Sequence, residues 1–305
     1  MRRLPLPDPL LGEAAAADAI ETIIVPRLRD IGAFVVKRAL PAQQRQMVGP
    51  FIFLDAFGPG EAISGEKFDV RPHPHIGLAT VTYIYQGSII HRDSVGSEQA
   101  IHPGDVNWMT AGRGIAHSER APKESYGKTV KVHGFQTWVA LPKVSEEAAP
   151  TFHHHGQAEL PIITGDGATV RLAVGSLYGE RAPVATFSEM FFADVMLEAS
   201  AKLPLDASHE ERAAYLAEGT VEIGGETFEP DRLILFKPGE GMTITAKTAA
   251  RLILLGGEPM DGPRHIWWNF VSSTMERIEQ AKADWKAGRF DKVFGDEKDF
   301  IPLPE

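Results

Sequence analysis

"PGDVNWMTAGRGIAHSE" (residues 103–119) aligns without a gap on "PDRLILFKPGEGMTITA" (230–246). Each stretch opens on a Pro-Gly or Pro-Asp turn, runs through a strand-like segment and reaches a Gly-x-Gly break, with Gly112 and Gly114 matching Gly239 and Gly241. Upstream, "YIYQGS" (83–88) is similar to "YLAEGT" (215–220). A pattern used twice at one spacing marks a duplicated unit. The surrounding sequence has the same character. "ATVTYIYQ" (79–86), "GFQTWVAL" (134–141), "ATVRLAVG" (168–175) and "EMFFADVMLEA" (189–199) are rich in β-branched and aromatic residues and are separated by Gly, Pro and Asp. "TVEIGGETFE" (220–229) reads as a hairpin closed by Gly224-Gly225, a pair suited to a primed turn. Many short strands between turn signals predict an all-β protein built from two related barrels, with few helices.

The expected layout is a flexible N-terminal tail over 1–20, a first barrel over 21–150, a connector over 151–165 and a second barrel over 166–305. A helix is predicted near the end, over about 272–288. Ser273 lies three residues before Glu276, a capping-box spacing; Ile278, Ala281 and Trp285 follow at helical intervals, and Gly288 supplies a stop.

Composition narrows the function. The 305-residue chain is 43% hydrophobic and 24% charged, with a formal net charge of −10, the profile of a globular protein able to bury a core. The acidic balance argues against direct nucleic-acid binding and against an anionic membrane partner. No apolar run is long enough for a membrane-spanning helix. There is no cysteine, which excludes disulfides, thiolate metal sites and cysteine nucleophiles, and fits a cytoplasmic location.

The chemistry is concentrated in the first copy of the repeat. In "RPHPHIGLATVTY" (71–83), His73 and His75 stand two residues apart, so a strand points both to one face. His117 and Glu119 in "GIAHSE" have the same spacing. If both pairs project into one barrel, three imidazoles and a carboxylate converge, a set suited to iron, manganese, nickel, copper or zinc. Four protein ligands leave positions open, as in catalytic rather than closed structural sites. The second copy serves as a control. Counted from Tyr215, the positions of His73 and His75 hold Leu205 and Ala207; His117 and Glu119 are matched by Ile244 and Ala246. All four candidate ligands are replaced by apolar residues together, so one copy reads as metal-bearing and the other as a filled barrel.

"HPHIGLATVTY", "HRDS" (91–94), the 103–119 block, "GFQTWVALP" (134–142), "GPFIFLDAFGP" (49–59) and the Trp-rich C-terminal segment together resemble the pirin family, a branch of the two-domain cupins. The resemblance covers nearly the whole chain. It implies two tandem cupin barrels of the double-stranded β-helix or jelly-roll type. It also implies one divalent transition metal held by His73, His75, His117 and Glu119, with iron(II) the first expectation. Some pirins resemble quercetin 2,3-dioxygenases, which implies ring opening of a flavonol or related chelating phenol by O2, with Glu119 as the catalytic base. Eukaryotic pirins are described as transcriptional co-regulators, so a non-catalytic, metal- or redox-sensing role through a protein partner is the alternative. Many cupins carry a glutamate four residues after the second histidine; here that position is Ala79, which would remove an acidic group near the site.

Other residues read as structural. His91 in "HRDS" reads as a polar strand residue first and as a neighbour of the metal ligands second. His133 and Gln136 flank a strand that lines the barrel or makes structural hydrogen bonds. Trp108, Phe135 and Trp138 are expected in the core. His153, His154 and His155 are expected in a solvated turn, and His209 in an exposed acidic stretch. Gly112-Arg113-Gly114 lacks the Lys-Ser/Thr of a phosphate loop and is expected to form the turn that delivers His117.

Overall fold

A computed structural model describes residues 2–3, 19–31, 34–65, 69–239 and 241–304. Most of the tail expected over 1–20 lies outside the described residues; Arg2–Arg3 pair in parallel with Ile163 and Thr164. The protein is strand-rich, and Met275–Lys286 is the one α-helix among the described residues. Among the described residues, no helix is long and apolar enough to cross a membrane.

The chain divides into two compact units, and their membership departs from the expected boundaries. One unit gathers 1–27, 39–51 and 158–259; the other gathers 28–38, 52–157 and 260–305. The sequence boundaries placed 21–150 together and 166–305 together. Instead, strand Ile20–Ile24 pairs antiparallel with Arg232–Phe236, and the last 46 residues belong with the histidine-bearing barrel.

Side-chain chemistry explains the second exchange. Glu146, on the histidine-bearing unit, is buried and accepts the Ser273 backbone N–H at 2.8 Å and the Ser273 hydroxyl at 2.8 Å. It also pairs at 2.8 Å with Arg264, whose side chain is fully buried and also donates to the Leu141 carbonyl at 2.8 Å. A buried ion pair satisfied on several sides is stable only while its partners stay together. The helix then packs Ile278 and Ala281 against Ile76 and Phe270, with Trp267, Trp268, Trp285 and Phe290 around them. Ser273 is therefore occupied, and the helix cap is Thr274, which accepts the Arg277 N–H at 3.3 Å.

The histidine-bearing unit has a seven-stranded sheet and a smaller one of four strands, Val70–His75, Ile115–Arg120, Ile89–Asp93 and Glu98–Ile101, paired in that order. The large sheet centres on Leu78–Gln86, which pairs with Val106–Thr110 on one side and Thr129–Ala140 on the other. The other unit has a nine-stranded sheet and its own four-stranded sheet, Lys202–Leu205, Met242–Ala246, Val221–Ile223 and Glu226–Phe228, in that order. Its interior holds a large apolar cluster that includes Ile163, Phe191, Leu203, Ile244 and Leu254. The predicted hairpin is present, with Gly224 and Gly225 both at positive φ, 63° and 82°.

The connector expectation is also revised. Thr151–His155 is a strand of the histidine-bearing sheet, with His155, His154 and His153 opposite Val106, Asn107 and Trp108. His154 bonds the Asn107 side chain at 2.7 Å, so the triplet is ladder rather than solvated turn. His209 is buried, with Nε2 2.9 Å from the Ser176 carbonyl and its ring against Phe191.

Candidate metal centre

His73 and His75 lie on Val70–His75, and His117 lies on the neighbouring strand, directly opposite His73. Paired residues of an antiparallel ladder face the same way, and so do residues two apart. The same rule brings in the next strand: Asp93 stands opposite His117 and His91 opposite Glu119. The turn behind this strand needs glycine. Gly112 has φ 52°, and a side chain there would collide with the Ala148 carbonyl.

The three imidazoles are buried and meet. Their free ring nitrogens all lie within 4.8 Å of one another, and the Nε2 atoms of His75 and His117 are 3.1 Å apart. His73 Nδ1 lies 2.9 Å from the Arg71 carbonyl and His75 Nδ1 lies 3.1 Å from the Asn269 carbonyl. A carbonyl only accepts, so both Nδ1 atoms carry the proton and both Nε2 atoms present lone pairs. Burial holds all three rings neutral: His73 is lowered to about 4, and His75 and His117 fall well below the ordinary histidine value, with the neighbouring imidazoles adding to the effect. The His75 lone pair thus faces His117 Nε2, a contact that either a proton on His117 or a shared cation satisfies. Nitrogens bound about 2.0–2.1 Å from one ion sit about 3 Å apart at a right angle, which matches the His75–His117 spacing. The donor set therefore fits a borderline divalent transition metal.

Glu119 lines the same cavity but stands off the triplet. The Thr82 hydroxyl approaches its Oε1 at 3.4 Å while donating to Gln136 Oε1 at 2.8 Å. Burial pushes the Glu119 carboxyl above its ordinary value, opposed by the neighbouring His91 and the Thr82 hydroxyl.

The cavity encloses about 430 Å³, within the size range of small-molecule sites. His73, His75 and Glu119 share it with Phe34, Phe53, Phe57 and Trp138. Trp138 stacks on Phe53 at 3.9 Å between centroids and meets His75 edge-on at 5.2 Å, so this expected core residue is also cavity wall. Arg38 sits over Phe53 and makes a two-point ion pair with Asp55, at 2.8 Å for each contact. Gln136 also lines the cavity. Phe135 and Trp108 are buried core, as expected, and Trp108 donates to Thr110 at 3.0 Å.

Three features depart from the first reading of the sequence. His91 is buried against His117, with their Nδ1 atoms 3.4 Å apart, which is the second of its two readings. Asn269 and Trp268 reach the cavity from the C-terminal segment, and nothing in local spacing ties that segment to His75. Arg120 clamps this end of the chain, pairing with Asp69 at 3.2 Å, Asp296 at 2.6 Å and Asp299 at 2.9 Å. The Ala79 expectation also changes. Thr82 touches Glu119, so residues 80 and 82 face the cavity and Ala79 faces the opposite side of its strand. An acid at 79 would point away from the histidines.

The pirin profile matches residues 33–139, and the pirin C-terminal cupin domain matches 192–291. A pirin-like protein from Caulobacter vibrioides is 48% identical over 291 residues, covering 94% of this chain and all of that one. A crystal structure of quercetin 2,3-dioxygenase from Acinetobacter baumannii superposes with a TM-score of 0.88 at 33% identity, covering 95% of this chain and 96% of that one. A bacterial pirin from Escherichia coli, solved with nickel(II), shares the fold with a TM-score of 0.62 at 17% identity, covering 78% of this chain and 99% of that one.

Proposed function

The chain belongs to the pirin family, and from that premise we propose that it is a mononuclear metal-dependent dioxygenase of the quercetinase type. Its substrate would be a flavonol or related chelating phenol, opened with O2. The observation that carries the reading is a cavity with apolar walls whose lining holds His73, His75 and the Glu119 carboxyl, with the buried His117 imidazole meeting the two histidines beside it. His73, His75 and His117 would hold the ion, with Glu119 as fourth donor and iron(II) as the first metal to test.

The metal, when bound, supplies Lewis acidity toward a phenolate oxygen and redox chemistry toward O2. The chain's own residues do the rest. Glu119, its carboxyl raised by burial, would take the hydroxyl proton of a phenol, with the Thr82 hydroxyl 3.4 Å from its Oε1. Phe53, Trp138 and Phe34 offer flat apolar surface to a planar ring and exclude water around it. Arg38, held by Asp55, presents its guanidinium on the same lining, where it can meet a polar substituent of the substrate.

The test combines elemental analysis with oxygen uptake. About one metal per chain, loss of metal in the His75→Ala, His117→Ala double variant, and quercetin-dependent O2 consumption abolished by Glu119→Ala would support the reading. Metal binding without turnover of any chelating phenol would leave a regulator that senses metal or redox state through a protein partner. No metal after reconstitution with iron, manganese, nickel or copper would sink both.

A further inference from the structure

Outside the three ligating imidazoles lies a fourth buried histidine that the proposed chemistry does not use. His91 is 3% exposed and is backed by Asp93, which is fully buried. Asp93 is a built anchor. Its Oδ1 accepts the backbone N–H groups of Val95 at 3.0 Å and Ser97 at 2.9 Å, and its Oδ2 lies 3.0 Å from His91 Nε2. Phe152 stacks on the His91 ring at 4.3 Å with 14° between planes, which fixes its rotation. His91 Nδ1 then meets His117 Nδ1 at 3.4 Å.

With His91 neutral, these contacts place the protons. The carboxylate of Asp93 can only accept, so His91 Nε2 carries a hydrogen. In a neutral ring Nδ1 is then an acceptor, so His117 Nδ1 carries the hydrogen between the two rings. His117 Nε2 is left as a bare lone pair, aimed at His75 Nε2. His73 and His75 reach the same tautomer through backbone carbonyls; His117 reaches it through two side chains. We propose that Asp93 and His91 are positioning residues that lock His117 in its metal-binding tautomer and orientation. The inference rests on the metal-centre reading above, and it assigns this chain two residues that bind nothing themselves.

Substitutions separate orientation from packing. In His91→Phe the ring shape stays and the acceptor goes, leaving His117 Nδ1–H unpaired. In His91→Asn an oxygen returns near the place of Nδ1, so the bond to His117 is restored without the link to Asp93. Asp93→Asn is the severe case. The amide oxygen is claimed by the Val95 and Ser97 N–H groups, so the amide NH2 faces His91 and reverses its tautomer. His117 must then carry its proton on Nε2, against the metal.

The experiment is nickel(II) binding to the full chain by competition with a chelator, beside the visible spectrum of the cobalt(II) complex and thermal unfolding of the metal-free protein. Outer partners of ligating histidines typically contribute about 10–100-fold in metal affinity. The expected result is a loss of that size for His91→Phe, at least as much for Asp93→Asn, and recovery to within about threefold of the parent for His91→Asn, in keeping with the orienting role. The cobalt(II) bands should shift in the first two variants and return in the third. Parent-like affinity in all three variants would overturn the proposal. So would equal losses in His91→Phe and His91→Asn that track a lowered melting temperature, because the role would then be packing. A parent protein that binds no nickel(II) or cobalt(II) would overturn the metal-centre reading itself, and this inference with it.

Discussion

The two units carry the same four-stranded arrangement and fill it with opposite chemistry. In each, the first strand pairs with the fourth, the fourth with the second and the second with the third. In one, His73 lies opposite His117; in the other, Leu203 lies opposite Ile244. Counting along the sequence equated His73 with Leu205, but Leu205 pairs with Met242, two residues further on, which keeps the face and shifts the partner. Leu203, Leu205, Ile244 and Ala246 all belong to one buried apolar core, while Ala207 is exposed just beyond its strand. The lesson is that this backbone tolerates either filling. The apolar filling stabilises by removing surface from water. The polar filling buries three neutral imidazoles and needs a carbonyl or side-chain acceptor behind each one.

The sharpest way to break the comparison is to exchange the roles of matched positions. His75→Ala with His117→Ala should abolish metal in elemental analysis. Ile244→Ala should leave metal stoichiometry unchanged and cost about 2–5 kcal/mol in chemical denaturation, the usual penalty for a large buried aliphatic side chain. If Ile244→Ala empties the metal site, the contrast between the matched positions fails.

Acidification should separate the units next. A histidine lowered in the folded protein is protonated more readily once unfolded, so its stabilising effect is present above the unfolded pKa and lost as pH falls toward the folded one. For His73 that window runs from 6.5 down to about 4, a contribution on the order of 3 kcal/mol at roughly 1.4 kcal/mol per unit. His75 and His117 act in the same direction. Glu119, raised by burial, acts oppositely and favours the folded state at the acid end of its own range. Metal-free protein should therefore lose stability below about pH 6.5, and His73→Leu should flatten the profile. An unchanged pH profile in that variant would sink this account.

A smaller effect probes the segment that the sequence boundaries misplaced. Thr274→Ala removes the helix cap and should cost about 1 kcal/mol by denaturant midpoint. Ser273→Ala should not act as a cap loss. It should instead weaken the hold of Glu146 on the C-terminal segment and, through Asn269, disturb His75. A metal affinity that falls in Ser273→Ala but not in Thr274→Ala would tie the tail to the site; equal behaviour would argue that the tail is only packing.

Much of this molecule was legible along the chain. Period-two patterning, Gly-Gly and Gly-x-Gly turns, and the repeated block specified strands, hairpins and two related β units. The i, i+2 spacing of His73 with His75 and of His117 with Glu119 named the candidate site, because strand geometry makes residues two apart share a face. These are local rules, and local rules survive without knowledge of the fold. What the tertiary structure alone decided was non-local. It assigned Ile20–Ile24 and residues 260–305 to the units opposite to those their positions suggested. It brought Asn269 to His75 across 194 positions, set His91 and Asp93 behind His117, and turned Ala79 away. Each of these depends on which strand lies beside which, and on a buried anchor such as Glu146 with Arg264. Such pairings are won by satisfying buried polar groups and apolar faces together in three dimensions, and spacing along a chain carries no record of that competition.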